Sequence, residues 1–178
     1  MIIRKKSSPV TAFRLGEDSA LEREMIARGV VRLRADGTYE VFSRESGPNA
    51  GQIARRGDFV KLDGTGAVYP NRAEAFLAGH RRRGGEWIQQ SRDLTAWEKG
   101  RSVCPELRFL LDTGRLQLDP DSPERYFRAR LWDAELTAAQ DAVLVFYRVE
   151  ESGGEIRDVD FNFVARDEFL RSYEIIEE

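Results

Sequence analysis

The sequence contains a single cysteine and a single histidine among 178 residues. One cysteine excludes an internal disulfide and a cysteine-based metal cluster, and one histidine excludes a metal site with two histidine ligands. No segment approaches the roughly 20 consecutive apolar residues of a membrane-spanning helix. The first ten residues, MIIRKKSSPV, carry charges where a signal peptide would be apolar. We therefore predict a cytoplasmic protein with no cofactor, no metal and no membrane contact.

Common catalytic motifs are also missing. The sequence has no phosphate-binding G-x-x-x-x-G-K-[ST], no G-x-S-x-G and no H-E-x-x-H. An enzyme that uses only tyrosine, arginine and carboxylates would leave no such pattern, so the question stays open and a non-enzymatic protein is favoured. Hydrophobic residues make up 41% of the chain and aromatic residues 10%, which is sufficient for a compact core.

The charge changes sign along the chain. Residues 1–91 contain 16 basic and 11 acidic side chains, a net charge of +5, whereas residues 92–178 contain 12 and 20, a net charge of −8. Complementary charge favours either two units that face each other or a head-to-tail contact between copies of the chain. The alternative is a chance distribution over two solvated surfaces.

The segment 57–80 is the best-defined part of the first half. Asp-Gly between two apolar runs is typical of a tight hairpin, and an asparagine before an apolar helix face is a good N-cap. The predicted elements are a strand at Phe59–Leu62, a turn at 63–66, a strand at 67–69, and a helix opened by Asn71 with Phe76 and Leu77 on its apolar face.

Further elements are predicted before this segment from capping and turn patterns. Ser19 and Glu22 fit a capping box, Gly29 fits a helix end, and Asp36-Gly37 fits a hairpin turn. The expected order is a strand at 9–15, a helix from Ser19 to Gly29, a hairpin of strands 30–34 and 38–42, a loop at 43–51, and a strand at 52–54.

The basic N-terminal RKKSSPV, the GDF element at 57–59, the Tyr69-Pro70 pair and the helix aromatic Phe76 resemble a family of small phage and prophage proteins related to the PGDYG family. The resemblance covers about residues 2–81. Arg56 stands where some relatives have proline, and His80 replaces a terminal tyrosine. The resemblance implies a phage or prophage origin and names no catalytic residue.

The second half is expected to repeat the organisation of the first. Pro105 and Gly114 bound a predicted helix, and an apolar strand at 142–149, a Gly153-Gly154 turn, a strand at 156–163 and a helix at 166–173 follow. Aligning Phe169 with Phe76 places Tyr173 on His80, and residues 125–132 are matched upstream to the first strand. This pattern predicts a degenerate tandem duplication.

The predicted fold class is therefore α+β, with two small antiparallel-sheet units covered by helices. The predicted domains are residues 1–84 and 101–178, joined by a connecting segment at 85–100 in which Trp87, Ile88, Leu94 and Trp97 form a helix. The predicted core residues are Phe13, Leu33, Val41, Phe59, Val68, Phe76, Val143, Val145, Phe161, Phe163 and Phe169.

Six basic residues are the candidate binding site. If Arg4, Lys5 and Lys6 lie on one side with Arg81, Arg82 and Arg83, they form a patch that contacts nucleic-acid phosphates. The alternative is that both runs are solvated, and arginines at the end of a helix suit its dipole without any ligand. Of the isolated residues, His80 is expected at the surface and Cys104 as a packed, unreactive thiol.

Three functional hypotheses follow. The first is a non-enzymatic binding or accessory protein of phage or prophage origin that acts through a surface formed by its two units, with a protein partner or as a homo-oligomer. The second is a nucleic-acid-contacting factor that uses the arginines. The third is a small hydrolase or transferase with an acidic site near Asp158 and Asp160. These two aspartates and Asn162 occupy alternate positions of one predicted strand, so their side-chain oxygens share a face and could bind a cation.

Overall fold

The computed structural model describes residues 1–43, 51–62 and 66–177, and in them the chain is α+β with mainly antiparallel sheets. The strands are β1 (Ile2–Lys5), β2 (Ser8–Arg14), β3 (Val31–Leu33), β4 (Tyr39–Val41), β5 (Gln52–Ala54), β6 (Phe59–Leu62), β7 (Val68–Asn71), β8 (His80–Arg83), β9 (Glu86–Gln89), β10 (Arg92–Glu98), β11 (Leu116–Leu118), β12 (Phe127–Leu131), β13 (Ala134–Ala138), β14 (Val143–Ser152), β15 (Glu155–Val164) and β16 (Tyr173–Glu177). The α-helices are α1 (Ala20–Ala27), α2 (Ala73–Gly79), α3 (Pro105–Asp112) and α4 (Arg166–Ser172).

The chain forms two compact units. Unit A consists of Ser7–Gln90 and Leu131–Ala134, and unit B consists of Met1–Lys6, Ser91–Arg130 and Glu135–Glu178. This division differs from the predicted ranges 1–84, 85–100 and 101–178, which stay a prediction about domain organisation.

Unit A contains a five-stranded sheet with the order β7-β6-β2-β9-β8 and a three-stranded sheet with the order β3-β4-β5. All of their pairings are antiparallel. Helix α1 contacts β2 and β3, and the helix side chain of Met25 joins a core made of strand residues from both sheets. That core consists of Phe13, Leu15, Met25, Val31, Tyr39, Val41, Ala54, Val60 and Val68.

Unit B contains a five-stranded antiparallel sheet with the order β15-β14-β10-β1-β16 and a three-stranded sheet with the order β11-β12-β13. Helix α4 supplies the buried Phe169, whose ring stacks on Tyr173 with centroids 5.3 Å apart. One core cluster consists of Ile3, Leu94, Ala96, Val143, Val145, Val164, Phe169 and Tyr173.

Local capping explains where two of the helices begin. The Ser19 hydroxyl accepts a hydrogen bond from the N–H of Glu22, as the capping box predicts, but the Glu22 carboxylate bonds the N–H groups of Gly16 and Asp18. The predicted cap of α2 by Asn71 is wrong, because Asn71 belongs to β7. The distant Asp58 accepts from the Ala73 N–H instead, at 3.1 Å.

Asp58 is the acidic residue of the GDF element, and its role is structural. Its Oδ2 accepts hydrogen bonds from the Arg55 N–H at 2.9 Å and from Arg72 Nη1 at 3.0 Å. Gly57 beside it has φ +94°, a conformation that favours glycine over residues with a Cβ. Gly57 and Asp58 therefore close the turn before β6 and tie it to the first turn of α2.

Several other predictions need correction. The connecting segment is not a helix, because Trp87 and Ile88 lie in β9 while Leu94 and Trp97 lie in β10. Leu33, predicted in the core, is 56% exposed, and Leu77 of α2 is 52% exposed. The other predicted core residues are buried. Residues 63–65 of the predicted turn and 44–50 of the predicted loop lie outside the described residues.

Candidate functional sites

Of the first three predicted basic residues, Arg4 and Lys5 lie on β1 and Lys6 directly follows it, and all three have partners in unit B. Arg4 forms a two-point ion pair with Asp93 at 2.6 and 3.0 Å, and the hydrogen bond from Arg4 lowers the pKa of Asp93. Lys6 Nζ donates to the carbonyl oxygens of Leu170 and Arg171 at the end of α4. Arg4 and Lys6 are therefore already engaged within their own unit.

Arg81, Arg82 and Arg83 lie on β8, an edge strand of the five-stranded sheet of unit A, and all three are exposed. Among the described residues, no carboxylate forms an ion pair with any of them. The six predicted residues thus fall into two groups of three, one in each unit, and a common nucleic-acid patch stays a prediction.

The hairpin of β8 and β9 presents the three arginines at the surface of unit A. Its turn consists of Gly84 and Gly85, with φ +58° and +91°, as a two-residue hairpin turn requires. Opposite Arg82, Trp87 packs edge-on against buried rings, and the Arg82 guanidinium lies 5.7 Å from the Trp87 ring centroid. A shallow depression of about 230 Å³ adjoins this hairpin and is lined by Pro9, Val10, Thr11, Ala12, Gly85, Glu86 and Trp87.

His80 was predicted at the surface and is instead buried, with 6% exposure. Its ring stacks on Phe76 at 4.0 Å between centroids, and Phe76 stacks in turn on Phe59 at 4.1 Å. His80 Nδ1 lies 2.8 Å from the Phe76 carbonyl oxygen, which can only accept, so Nδ1 carries the proton.

A buried lysine completes this polar cluster. Lys61 is 6% exposed, and its Nζ lies 3.3 Å from His80 Nε2 and 3.1 Å from Gln89 Oε1. Because Nδ1 holds the proton in the neutral ring, Nε2 accepts from the ammonium group. The Gln89 amide donates to the carbonyl oxygen of Gly79. We call Lys61, His80 and Gln89 the lysine cluster of unit A.

The lysine cluster was not identified from the sequence, although one indication was present. Lys61 is two residues from Phe59 in a strand, so the two side chains point to the same face. Phe59 was predicted in the core, and the same alternation places Lys61 there. Nothing in the local sequence identifies Gln89, which meets His80 only through the pairing of β8 with β9.

Unit B contains a second group of packed polar side chains. Lys5 lies opposite Tyr173 on β16, and its Nζ is 5.6 and 5.4 Å from the ring centroids of Tyr147 and Tyr173. The two tyrosine hydroxyls are 3.0 Å apart. Burial raises the pKa of Tyr147. Arg92 lies opposite Lys5 on β10, and its buried Nε has no hydrogen-bond partner within the described part of the chain.

The acidic residues of the third hypothesis lie on β15, and arginines form ion pairs there. Asp158 pairs with Arg115 at 2.6 Å and with Arg148 at 3.6 Å. Asp160 lies at the surface, but neighbouring atoms remove water from its carboxyl and raise its pKa, which Arg148 opposes and Asp158 reinforces. In the described residues, no three histidine, cysteine or acidic side chains are arranged to hold a metal ion.

Cys104 is half-buried in the residue before α3, and burial raises the pKa of its thiol. The neutral thiol is therefore favoured over the reactive thiolate.

No α-helix in the described ranges is long and apolar enough to cross a membrane. No family model, curated protein or solved structure matches this chain.

Proposed function

We propose that the protein is a non-enzymatic binding protein and that the exposed edge of β8 is its contact surface for an acidic protein segment. The observation that supports this proposal is the run of three adjacent arginines without carboxylate partners in the described residues. Other arginines of the chain, such as Arg4 and Arg115, are neutralised by ion pairs. The phage or prophage origin stays a proposal based on the resemblance.

An edge strand offers two kinds of contact at once. Its outer backbone groups can pair with an added extended strand, and its side chains can select the charge of that strand. On β8 alternate side chains point to opposite faces, so Arg81 and Arg83 share one face and Arg82 the other. An acidic extended segment would therefore meet a positive charge on both faces of the sheet.

The chain itself contains a segment of this chemistry. Strand β16 is an edge strand of unit B with the sequence YEIIE, in which Glu174, Ile175, Ile176 and Glu177 are exposed. A second copy of the chain is thus one acidic partner that fits the β8 edge, and a head-to-tail contact of this kind is one of the arrangements that the charge distribution leaves open.

The test compares the triple variant R81Q/R82Q/R83Q with a control of equal charge. The control R108Q/R125Q/R130Q removes three exposed arginines of unit B for which the structure gives no ion pair with a described carboxylate. Binding of a labelled 12-residue polyglutamate peptide is followed by fluorescence anisotropy at two salt concentrations. We expect a loss of at least tenfold in affinity for the β8 variant only; equal losses in both variants would contradict the proposal.

The second candidate function is contact with nucleic-acid phosphates, which is favoured by the same three arginines. A labelled 20-base-pair duplex gives the discriminating measurement. If Arg81–Arg83 neutralise three phosphates, the slope of log affinity against log salt falls by about 2.7 in the β8 variant. Duplex binding that exceeds peptide binding at the same salt concentration would place nucleic acid first.

We also propose that the two units derive from a tandem duplication. In each unit a helix is followed directly by an edge strand, with no residue between them. In each, the aromatic ring of the helix stacks on the ring of the first strand residue: Phe76 on His80 and Phe169 on Tyr173. A backbone hydrogen bond at the start of each helix also corresponds. The Phe76 N–H donates to the Arg72 carbonyl oxygen, and the Phe169 N–H donates to the Ala165 carbonyl oxygen.

A further inference from the structure

The five-stranded sheets of the two units follow one plan. The order β7-β6-β2-β9-β8 in unit A corresponds, strand by strand, to β15-β14-β10-β1-β16 in unit B. In each unit a hairpin occupies one side of the sheet, a helix follows that hairpin, and the strand after the helix forms the opposite edge. The fourth position is filled by β9 in unit A and by β1 in unit B.

The sequence supports this correspondence at a nearly constant spacing. The segment VTAFR at 10–14 in β2 matches LTAWE at 94–98 in β10, 84 positions later. The same shift carries β1, at Ile2–Lys5, onto the range of β9, at Glu86–Gln89. The upstream match predicted for residues 125–132 is not supported, because β12 lies in the three-stranded sheet.

Backbone hydrogen bonds also correspond between the two units, with donors 84 positions apart and acceptors 93 positions apart. The N–H of Lys6 donates to the carbonyl of Ser172 at 2.9 Å, and the N–H of Gln90 donates to that of Gly79 at 2.8 Å. These bonds join the residue after β1 or β9 to the end of the helix that precedes the edge strand. Strands β1 and β9 are therefore followed by the same backbone hydrogen bond to a helix end.

From these correspondences we infer that the chain consists of two repeats, residues 1–84 and 85–178, that have exchanged their first strands. Strand β1 belongs to the first repeat by sequence but completes the sheet of unit B, and β9 belongs to the second repeat but completes the sheet of unit A. This inference does not depend on the proposed binding function.

The loops explain why the strands are exchanged. Without exchange, β1 would fold back on β2 and place Ile2 opposite Thr11, the residue that matches its actual partner Thr95. That hairpin would need a two-residue turn at 6–7, and the second repeat would need one at 90–91. Such turns require positive φ and favour Asn-Gly or glycine, but the residues present are Lys-Ser and Gln-Ser.

The exchange has a consequence for how the chain folds. Each five-stranded sheet takes one of its interior strands from the other repeat, and that strand is paired on both sides: β1 with β10 and β16, β9 with β2 and β8. Neither repeat can complete its sheet alone. The two repeats are therefore a covalently linked form of a strand-exchanged dimer, in which each half serves as the partner of the other.

The first test cuts the chain between the repeats. A protease site is inserted between Gly84 and Gly85, where the space around both Cα atoms is open, and the folded full-length protein is cleaved. The exchange predicts that both halves stay together through size-exclusion chromatography, with an unchanged circular dichroism spectrum. Separation into two species of about half the 20.3 kDa mass would overturn the inference.

The second test distinguishes exchange from simple association of two self-contained halves. Two cysteine pairs are compared in the full-length, protease-sensitive protein with Cys104→Ser: I2C/T95C joins the exchanged partners, and I2C/T11C joins the partners of an unexchanged hairpin. Directly opposite residues of an antiparallel pair are close enough for a disulfide.

After oxidation and cleavage, non-reducing gels report which pair has formed. The exchange predicts that I2C/T95C holds the two fragments in one full-length band and that I2C/T11C leaves two half-length bands with free thiols. A disulfide that forms in I2C/T11C and not in I2C/T95C would show that β1 pairs with its own repeat, and would refute the exchange.

Discussion

Asp58 is a sensitive point of unit A, because one carboxylate serves a turn, a helix and an ion pair. Its Oδ1 accepts from Ala73, and its Oδ2 accepts from Arg55 and Arg72. Asn at this position keeps one acceptor oxygen, but its amide group then faces either the Ala73 N–H or the donors of Arg55 and Arg72. Asp58→Asn is therefore expected to destabilise the protein although it changes almost no volume.

The expected loss follows from the three contacts. If the amide oxygen faces Arg55, the cap on α2 is lost, which lowers the free energy of unfolding by about 1 kcal/mol. If the amide oxygen faces Ala73, the partly buried Arg55 N–H loses its acceptor, at a similar cost. A donor facing a donor adds about 1 kcal/mol. The Arg72 ion pair, with Arg72 44% exposed, contributes about 0.5 kcal/mol. The total is about 2.5 kcal/mol.

Urea denaturation followed by circular dichroism measures this change. Asp121→Asn is the matched control, since Asp121 is exposed in a loop and should change stability by less than about 0.5 kcal/mol. If Asp58→Asn were equally mild, the carboxylate would not organise the turn and α2, and the GDF element would not have the structural role inferred from its hydrogen bonds.

Three further predictions concern the buried lysine, an ion-pair network and the loops at residues 6–7 and 90–91. Lys61→Met should lower the free energy of unfolding by about 1–3 kcal/mol in urea titrations, because the acceptors around the ammonium group lose their donor; an unchanged midpoint would argue against the cluster. Glu98 is held between Arg101 and Arg166; partial burial opposes ionisation, but the two hydrogen bonds lower its pKa below the usual 4.5. Glu98→Gln should therefore cost about 1 kcal/mol at pH 7 and less at pH 3, where the wild-type advantage, present above pH 4.5, has faded; a loss independent of pH would contradict this. Replacing residues 6–7 and 90–91 by Asn-Gly should favour unexchanged hairpins, so that halves cleaved at the 84–85 turn separate more readily on size-exclusion chromatography than those of the parent protein.

Local patterns in the sequence were sufficient where a short segment decides its own structure. The capping box at Ser19, the Asp36-Gly37 turn and the Gly153-Gly154 turn all act within a few residues, and the hairpins and helix they predict are present. Phe76 and Phe169 could be placed in the core because each is an aromatic residue in a short amphipathic helix. In these cases the conformational preference and the burial of apolar surface favour the same structure.

The failures come from contacts between residues that are distant in sequence. Asn71 is a good N-cap by composition, but strand pairing holds it in β7 and Asp58 provides the cap. His80 looks like a surface residue among arginines, yet it is buried because Phe76 and Lys61 satisfy its two nitrogens. Neither partner could be assigned before the fold was known.

The connecting segment shows why the domain boundary could not be predicted from periodicity. β9 and β10 are consecutive in the chain, separated by residues 90–91, but they belong to sheets in different units. Their apolar residues therefore follow two separate alternations, and the combined spacing resembles that of a helix. If the strands are exchanged, each repeat begins in one unit and continues in the other, so no single cut in the sequence separates the two units.

If the two units derive from a duplication, the opposite charges of the two halves have a physical meaning. β8 and β16 occupy equivalent edges, and an uncharged edge strand would be prone to uncontrolled pairing. Both edges carry charge, but of opposite sign, with Arg81–Arg83 on one and Glu174 and Glu177 on the other. Like edges therefore repel between copies, whereas unlike edges attract. Any self-association through these edges is then head-to-tail, and it should weaken as added salt screens the charges.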